Sequence, residues 1–305
     1  EGHQINLIIL IDSTDELPFD FLPSGNVSIY KIKAKRILEI SKALRFMKLI
    51  LSLKSDVIVS NLYWSQIWTN VLTWSQPIIW VEHNTYFSRS RFQWILFRLL
   101  ANRVSYIIAV SNEVKNYLVN KNLNVRKIKV ILNGVKGSFP CRVRDFDSPQ
   151  FIFVGRLNHQ KNPLRAIRIF HAFIMQKQIS KNASLRIIGE GPMQHKCEKY
   201  ILDNSLEKRI FIDNFIEHQK LMEVMSTAVC LLSTSVIEGY SLVRAEAVVN
   251  GCCIVTTNTA GIEGVLTDSN SILISGVFVS DNDSDLIDFL SESLSSNYWN
   301  DKSIN

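Results

Sequence analysis

Short, unbroken apolar runs alternate along this chain with longer segments whose apolar residues recur at helical period, and the pattern starts over once. The runs are Ile5–Ile11, Asp56–Ser60, Ile78–Glu82, Tyr106–Val110 and Ile128–Leu132, with helical stretches at 37–53, 65–75, 90–101 and 112–121. A second set follows: Phe151–Val154, Leu185–Ile188, Ile210–Ile212, Val229–Leu232 and Cys253–Thr256. Strands of buried type with helices between them predict an α/β protein whose parallel sheets are covered on both faces. The restart predicts two Rossmann-like domains, 1–142 and 143–305, facing a central cleft. The break falls in Ser138–Pro149, where Pro140, Pro149 and mixed charges interrupt the periodicity. Ligands of such sheets bind beyond the carboxyl ends of the strands. The loops after Val154, Ile188, Leu232 and Thr257 are therefore the ones that matter.

A length of 305 residues accommodates two cores, and 47% apolar with 20% charged residues is an ordinary globular balance. The net charge of +6 suits phosphate-bearing ligands or an anionic membrane surface, and also plain solubility. It gives little support to nucleic-acid binding. Cys141, Cys197, Cys230, Cys252 and Cys253 show no C-x-x-C spacing, so they read as small buried hydrophobes of a reducing compartment. No apolar run approaches the roughly 18 residues a membrane span needs, and no signal-peptide layout is visible. The expected location is cytoplasmic, and no metal-ligand cluster stands out.

Three loops carry candidate chemistry. After the strand FIFV comes Gly155-Arg156-Leu157-Asn158-His159-Gln160-Lys161-Asn162-Pro163. Arg156 offers a bidentate fork and Lys161 a point charge, which together suit a diphosphate at the start of a helix opened by Pro163. Two solvated surface cations would read the same way. Gly189-Glu190-Gly191-Pro192 after LRII permits a tight turn and close approach to backbone, as many strand-to-helix turns do. Glu238-Gly239-Tyr240-Ser241-Leu242 opens a helix closed by Gly251, with Glu246 one turn inside. Its backbone N–H groups lie at the positive helix end, and two carboxylates can each accept hydrogen bonds from vicinal hydroxyls. The plainer readings are dipole compensation by Glu238, worth about 0.3–1 kcal/mol, and a solvated helix face for Glu246.

GRLNHQKN, GEGP, EGYSLVRAEA and TTNTAGIEGV, in this order, resemble the retaining GT-B glycosyltransferases of family 4. Glu238 and Glu246 meet that family's Glu-x7-Glu pattern, and VEHN at 81–84, AVSNEV at 109–114 and ILNGV at 131–135 resemble its acceptor-side domain. The resemblance implies a GT-B fold and transfer of a sugar, with retention, from a UDP- or GDP-linked donor to a glycan or lipid-linked acceptor, as in cell-surface polysaccharide biosynthesis. It implies that Arg156 and Lys161 hold the diphosphate, that Glu238 meets the sugar hydroxyls and Glu246 the ribose. Gly155, Gly189, Glu190, Phe215, Ile216 and the backbone of Gly239, Tyr240, Ser241 and Leu242 would complete the donor site within 151–264. His83 would contact the sugar near the reacting carbon. No cofactor and no metal are implied.

The opening EGHQINLIIL resembles the family's second strand, so the resemblance implies a strand, a glycine-rich loop and a helix before it, and closing helices after the end. Asn214 in DNFIEH stands where the family commonly has glycine. A truncated, non-catalytic nucleotide-sugar-binding remnant and a GT-B-type nucleotide-sugar epimerase are the competing readings. Two basic helical segments, Lys31–Lys54 and Arg89–Arg103, fit either a helix packed on the sheet with a solvated basic face or a peripheral contact with the inner membrane face. The residues favour the packed helix, with Ile37, Ile40, Leu44, Met47 and Leu51 as its inward stripe.

Overall fold

The computed structural model describes residues 3–10, 26–34, 39–84, 89–135, 144–176, 182–259, 261 and 277–295. Ile11, Ile37, Pro140, Cys141 and most of GIEGV lie outside the described residues. The chain divides into two compact units, one of residues 1–83, 88–109 and 115–130, the other of residues 84–87, 110–114 and 131–305. All strand pairings are parallel, so each strand requires a crossover, as the alternation of runs predicts.

In the first unit, β1 (Ile5–Ile9) pairs with β2 (Val27–Lys31), and β3 (Ile58–Asn61), β4 (Ile78–Glu82), β5 (Tyr106–Ala109) and β6 (Ile128–Val130) form a second sheet in that order. The helices are α1 (Ile40–Leu53), α2 (Tyr63–Leu72), α3 (Arg91–Ala101) and α4 (Asn112–Asn120). A cavity of about 460 Å³ is lined by residues of both β1 and β3, among them Leu7, Ile9, Ile58 and Val59. The ends of several elements differ from the sequence reading. The strand β3 begins at Ile58 because that residue is the first to face β4, across from Ile78. The strand β6 stops at Val130, opposite the last residue of β5. The helix α2 ends at Leu72, where the Thr73 hydroxyl donates to the Thr69 carbonyl at 2.6 Å and the chain turns extended. The strand β2 was not expected at all.

The inward stripe expected of α1 is wrong. Ile40, Leu44 and Leu51 are 77%, 49% and 52% exposed, whereas Phe46 and Ile50 are buried against Ile32, Ala34 and Trp68. Both faces of the helix carry apolar residues, and the aromatic Phe46, packed edge-on against Trp68, selects the inner one.

The second unit contains one six-stranded sheet in the order β12-β11-β10-β7-β8-β9. These are β7 (Gln150–Val154), β8 (Ser184–Ile188), β9 (Ile210–Asp213), β10 (Cys230–Ser233), β11 (Cys253–Thr256) and β12 (Val277–Val279). Its helices are α5 (Pro163–Gln176), α6 (Gln194–Asp203), α7 (His218–Thr227), α8 (Leu242–Val249) and α9 (Asp283–Ser295). Both faces are covered: Phe151 and Phe153 of β7 pack with Phe170 and Phe173 of α5, while Ile152 packs with Met222, Met225 and Ala245. Arg144, read from sequence as part of the connecting stretch, is buried here and donates to the carbonyls of Ala228 and Asn250 at 2.8 and 2.9 Å. Cys197, Cys230, Cys252 and Cys253 are buried free thiols, and burial pushes Cys197 up to about 11 and Cys252 up to about 12, so neither of these two is a ready nucleophile.

Candidate functional site

From β7 the chain steps outward through β8 to β9, then returns to the other side of β7 with β10. That reversal of strand order opens a crevice beyond the carboxyl ends of β7 and β10. The loops that meet there are Gly155–Asn162 and Thr234–Ser241. They are clasped by two hydrogen bonds, Val236 N–H to the Gln160 carbonyl at 2.8 Å and Gln160 Nε2 to the Ile237 carbonyl at 3.0 Å. Thr234 adds a third, its hydroxyl donating to the Asn162 carbonyl at 2.9 Å.

Within this crevice Lys161 Nζ donates to Glu238 Oε1 at 2.5 Å, and Ser235 Oγ donates to the same oxygen at 2.7 Å. The Glu238 side chain is 5% exposed and that of Lys161 22%, so the pair is sheltered yet reachable. A second cation stands behind it. Arg244 is wholly buried in α8, donates to Ser233 Oγ at 3.0 Å and Thr259 Oγ1 at 2.6 Å, and interacts electrostatically with Glu238. Burial lowers its pKa to about 10, which still leaves it charged at neutral pH. Arg156 is exposed on the same loop as Lys161. Pro163 is the first residue of α5, and Ser241 immediately precedes α8.

The GEGP loop is built against the first. Gly189, with φ of +140°, lies so near Gly155 that a Cβ there would meet the Gly155 carbonyl oxygen at 2.1 Å. Glu190 accepts from the Phe215 N–H at 3.3 Å, joining the loop after β8 to the one after β9. Phe215 is 73% exposed, and Ile216 is half-buried. Gly261, with φ of +79°, packs where a Cβ would lie 2.7 Å from Tyr240 Cα, so Gly261 buttresses the EGYS loop.

Glu246 is not a solvated helix residue: its side chain is 17% exposed and it meets His218 Nε2 at 2.9 Å. In the first unit His83 follows β4 directly, and its Nε2 lies 2.8 Å from Asn61 Oδ1 at the end of β3. Burial lowers the His83 pKa, so the ring is neutral at pH 7 and Nε2 is the protonated nitrogen that donates to Asn61. The preceding Glu82 is buried with Gln66 and Arg89. Arg89 lies 4.2–4.9 Å from the ring centres of Tyr63, Trp94 and Phe97. Burial raises the Glu82 pKa against the opposing pull of Arg89.

The structure thus brings together Gly155, Lys161, Glu238, Gly239, Tyr240, Ser241 and Leu242, with Arg156 on the same loop. It links Glu190 to Phe215 and Glu246 to His218. Sequence reasoning missed Ser235, Arg244, His218, Asn61 and Arg89. Of these, His218 had a signal as the last residue of DNFIEH beside the expected nucleotide site, Arg244 lies within EGYSLVRAEA, and Arg89 opens the second basic segment. Among the described residues no group of three or more His, Cys, Asp or Glu is placed to hold a metal ion.

Parallel α/β sheets with the loop set above define a GT-B-type glycosyltransferase fold. Residues 142–302 match the family described as glycosyl transferases group 1, and residues 1–138 match Glycosyltransferase Family 4. The chain belongs to the glycosyl transferases group 1. It is 26% identical to the Saccharomyces cerevisiae (strain YJM789) phosphatidylinositol N-acetylglucosaminyltransferase GPI3 subunit over 218 residues, covering 67% of this chain and 47% of that protein. It is 24% identical to the capsular polysaccharide biosynthesis glycosyltransferase CapH of Staphylococcus aureus over 253 residues, covering 78% and 69%. The match thus spans about half the length of the yeast relative. Among solved structures, Anabaena Alr3699/HepE in complex with UDP and glucose superposes with a TM-score of 0.73 at 15% identity, covering 91% of this chain and 78% of that one. At that identity the likeness speaks for the fold.

Proposed function

We propose that this chain transfers a glycosyl group from a UDP- or GDP-linked donor to a glycan or lipid-linked acceptor, with retention of anomeric configuration and without a metal. The observation that carries the proposal is the Lys161–Glu238–Ser235 cluster at the reversal of strand order, with Arg156 on the same loop. A donor diphosphate takes Arg156 and Lys161 as its cations. Lys161 then exchanges a carboxylate for a phosphate, and Glu238 turns its acceptor capacity to the sugar hydroxyls. Ser235 stays hydrogen-bonded to Glu238 in the exchange, and Arg244 keeps a positive charge nearby. Glu246, steadied by His218, accepts from the ribose diol. The role proposed for His83 is contact with the sugar near the reacting carbon, with Asn61 fixing its tautomer.

In the proposed step the bond from the anomeric carbon to the diphosphate oxygen breaks. The acceptor hydroxyl oxygen bonds to that carbon from the same face, and its proton passes to the departing phosphate oxygen. The residues contribute positioning and charge stabilisation at the leaving group, and no enzymic nucleophile is called for. Support for the polysaccharide or glycolipid context comes from the kinds of protein the chain is similar to, and this reading puts the reaction on the cytoplasmic side, where nucleotide sugars are made. Titration calorimetry with UDP, GDP and ADP, with and without EDTA, tests the donor site, and nuclear magnetic resonance of the product anomer tests the outcome. Failure of all three nucleotides to bind, loss of binding in EDTA, or an inverted product overturns the corresponding part.

A further inference from the structure

Arg244 carries a cost that packing alone does not explain. It stands third in α8, so its cation lies in the first turn, where the helix dipole disfavours positive charge. It is also wholly buried. Two of its side-chain nitrogens are bonded, Nε to Ser233 Oγ at the end of β10 and Nη2 to Thr259 Oγ1 beyond β11. The third, Nη1, is buried and has no hydrogen-bond partner. Among the described residues of the second unit, the other buried side-chain atom left this way is the neutral Asn250 Oδ1. A buried charged donor without a bond is strongly unfavourable, and a neutral side chain could brace the same two hydroxyls.

The anion beside it is Glu238. Lys161 and Ser235 both donate to Glu238 Oε1, and Arg244 acts on the same carboxylate electrostatically from α8. The two cations differ in freedom. Lys161 is 22% exposed at the crevice and can leave for a phosphate, whereas Arg244 is pinned by its two hydroxyl partners. If Lys161 left with nothing in its place, a buried carboxylate would lose its paired charge, the costly way to break such a pair. Arg244 Nη1 is a charged donor with a bond to make and none to lose.

We infer that Arg244 is a positioning residue whose Nη1 takes over the Glu238 carboxylate when a donor diphosphate draws Lys161 away. Arg244 itself does not touch the ligand; it holds Glu238 in place to accept from the sugar. The inference rests on the donor site proposed above, and the experiment separates the two.

UDP, GDP, uridine and guanosine are titrated by calorimetry into the full chain and its variants. Arg244→Gln keeps hydrogen-bonding groups for Ser233 and Thr259 but lacks the charge, and should weaken diphosphate binding at least about tenfold. The nucleosides leave Lys161 on Glu238, so their binding should not change. Arg244→Lys keeps a charge and should recover most of the loss. In Arg244→Gln joined to Glu238→Gln no carboxylate charge is stranded, so diphosphate affinity should return to that of Glu238→Gln alone. A plain structural brace would weaken nucleoside and nucleotide equally and would not be rescued at position 238. Either of those results, or an Arg244→Gln protein that binds diphosphates like wild type, overturns the inference and leaves the donor site standing. Failure of the wild-type chain to bind UDP or GDP overturns both. A crystal structure of the wild-type chain with UDP or GDP gives a reading that needs no variant to fold. Arg244 Nη1 should then lie within hydrogen-bond distance of a Glu238 oxygen, and its absence from that carboxylate overturns the inference.

Discussion

Two buried ion pairs, one in each unit, look alike in composition and differ in what they can do. Glu82 and Arg89 are 1% and 4% exposed, and the guanidinium lies among three aromatic rings. Glu238 is nearly as deeply buried, yet its partner Lys161 is 22% exposed at a crevice mouth and has no aromatic cage around it. An arginine locked among aromatic rings cannot change partners without emptying a core. A lysine on a flexible stem can move its ammonium by a few ångströms and meet a phosphate. The first pair fixes geometry beside His83; the second is fit for exchange with a ligand.

The sharpest way to break this contrast is to remove each cation. Arg89→Met strands a buried carboxylate, and about 3–5 kcal/mol of stability should be lost from the first unit. Urea unfolding measures it, and nucleotide affinity in the second unit should survive. Lys161→Ala should instead cost about 1.5–3 kcal/mol in UDP or GDP affinity, with little change for the free nucleoside. Equal losses for nucleoside and nucleotide would make Lys161 a fold-supporting cation like Arg89.

A finer effect is expected one turn into α8. His218→Asn loosens Glu246 without touching the diphosphate loop, so nucleotide affinity should fall by about 0.5–1.5 kcal/mol. Glu246→Gln should show a similar loss for the free nucleotide, whereas Glu238→Gln should spare it and impair nucleotide-sugar binding. Identical profiles for the two glutamine variants would remove the division of labour between the carboxylates.

The gentlest test is pH, where the first unit carries two opposing slopes. The His83 pKa is lowered from 6.5, so below that value the unfolded chain binds the extra proton, and stability falls as pH drops. The Glu82 pKa is raised from 4.5, so above that value the folded chain holds the extra proton, and stability falls as pH rises. The two partly offset in wild type. His83→Gln should remove the first slope and leave a protein whose stability, relative to wild type, improves as pH is lowered below 6.5. A pH-independent difference between the two would show that His83 is not held neutral by burial.

What the sequence disclosed followed from local chemistry. The parallel α/β units, the turn glycines and the helix openings at Pro163 and Leu242 are written in runs and turn residues that act within a few positions. Glu238 and Glu246 were legible through their spacing, and the loop with Arg156 and Lys161 through its place after a buried strand. The partners of these residues were not. His218 reaches Glu246 across 28 positions and Asn61 reaches His83 across 22, distances over which no period or cap operates. The inward face of α1 failed for a related reason: both of its faces are apolar, and packing against Trp68 selected between them. The strand β2 escaped notice because its exposure alternates little and its pairing is confined to β1.

The clasp of Gln160 to Ile237 also orders events in time. It joins positions 77 apart in the chain, with β8 and β9 between them in sequence and β10 at the other edge of β7. Contacts of such separation bear a loop-closure cost that nearby pairings must first offset. The donor loop is therefore expected to take its final shape late, once β10 has joined β7. A nucleotide that binds this loop recognises the completed fold alone, and its presence during refolding should hold finished molecules in place by mass action without hastening their formation.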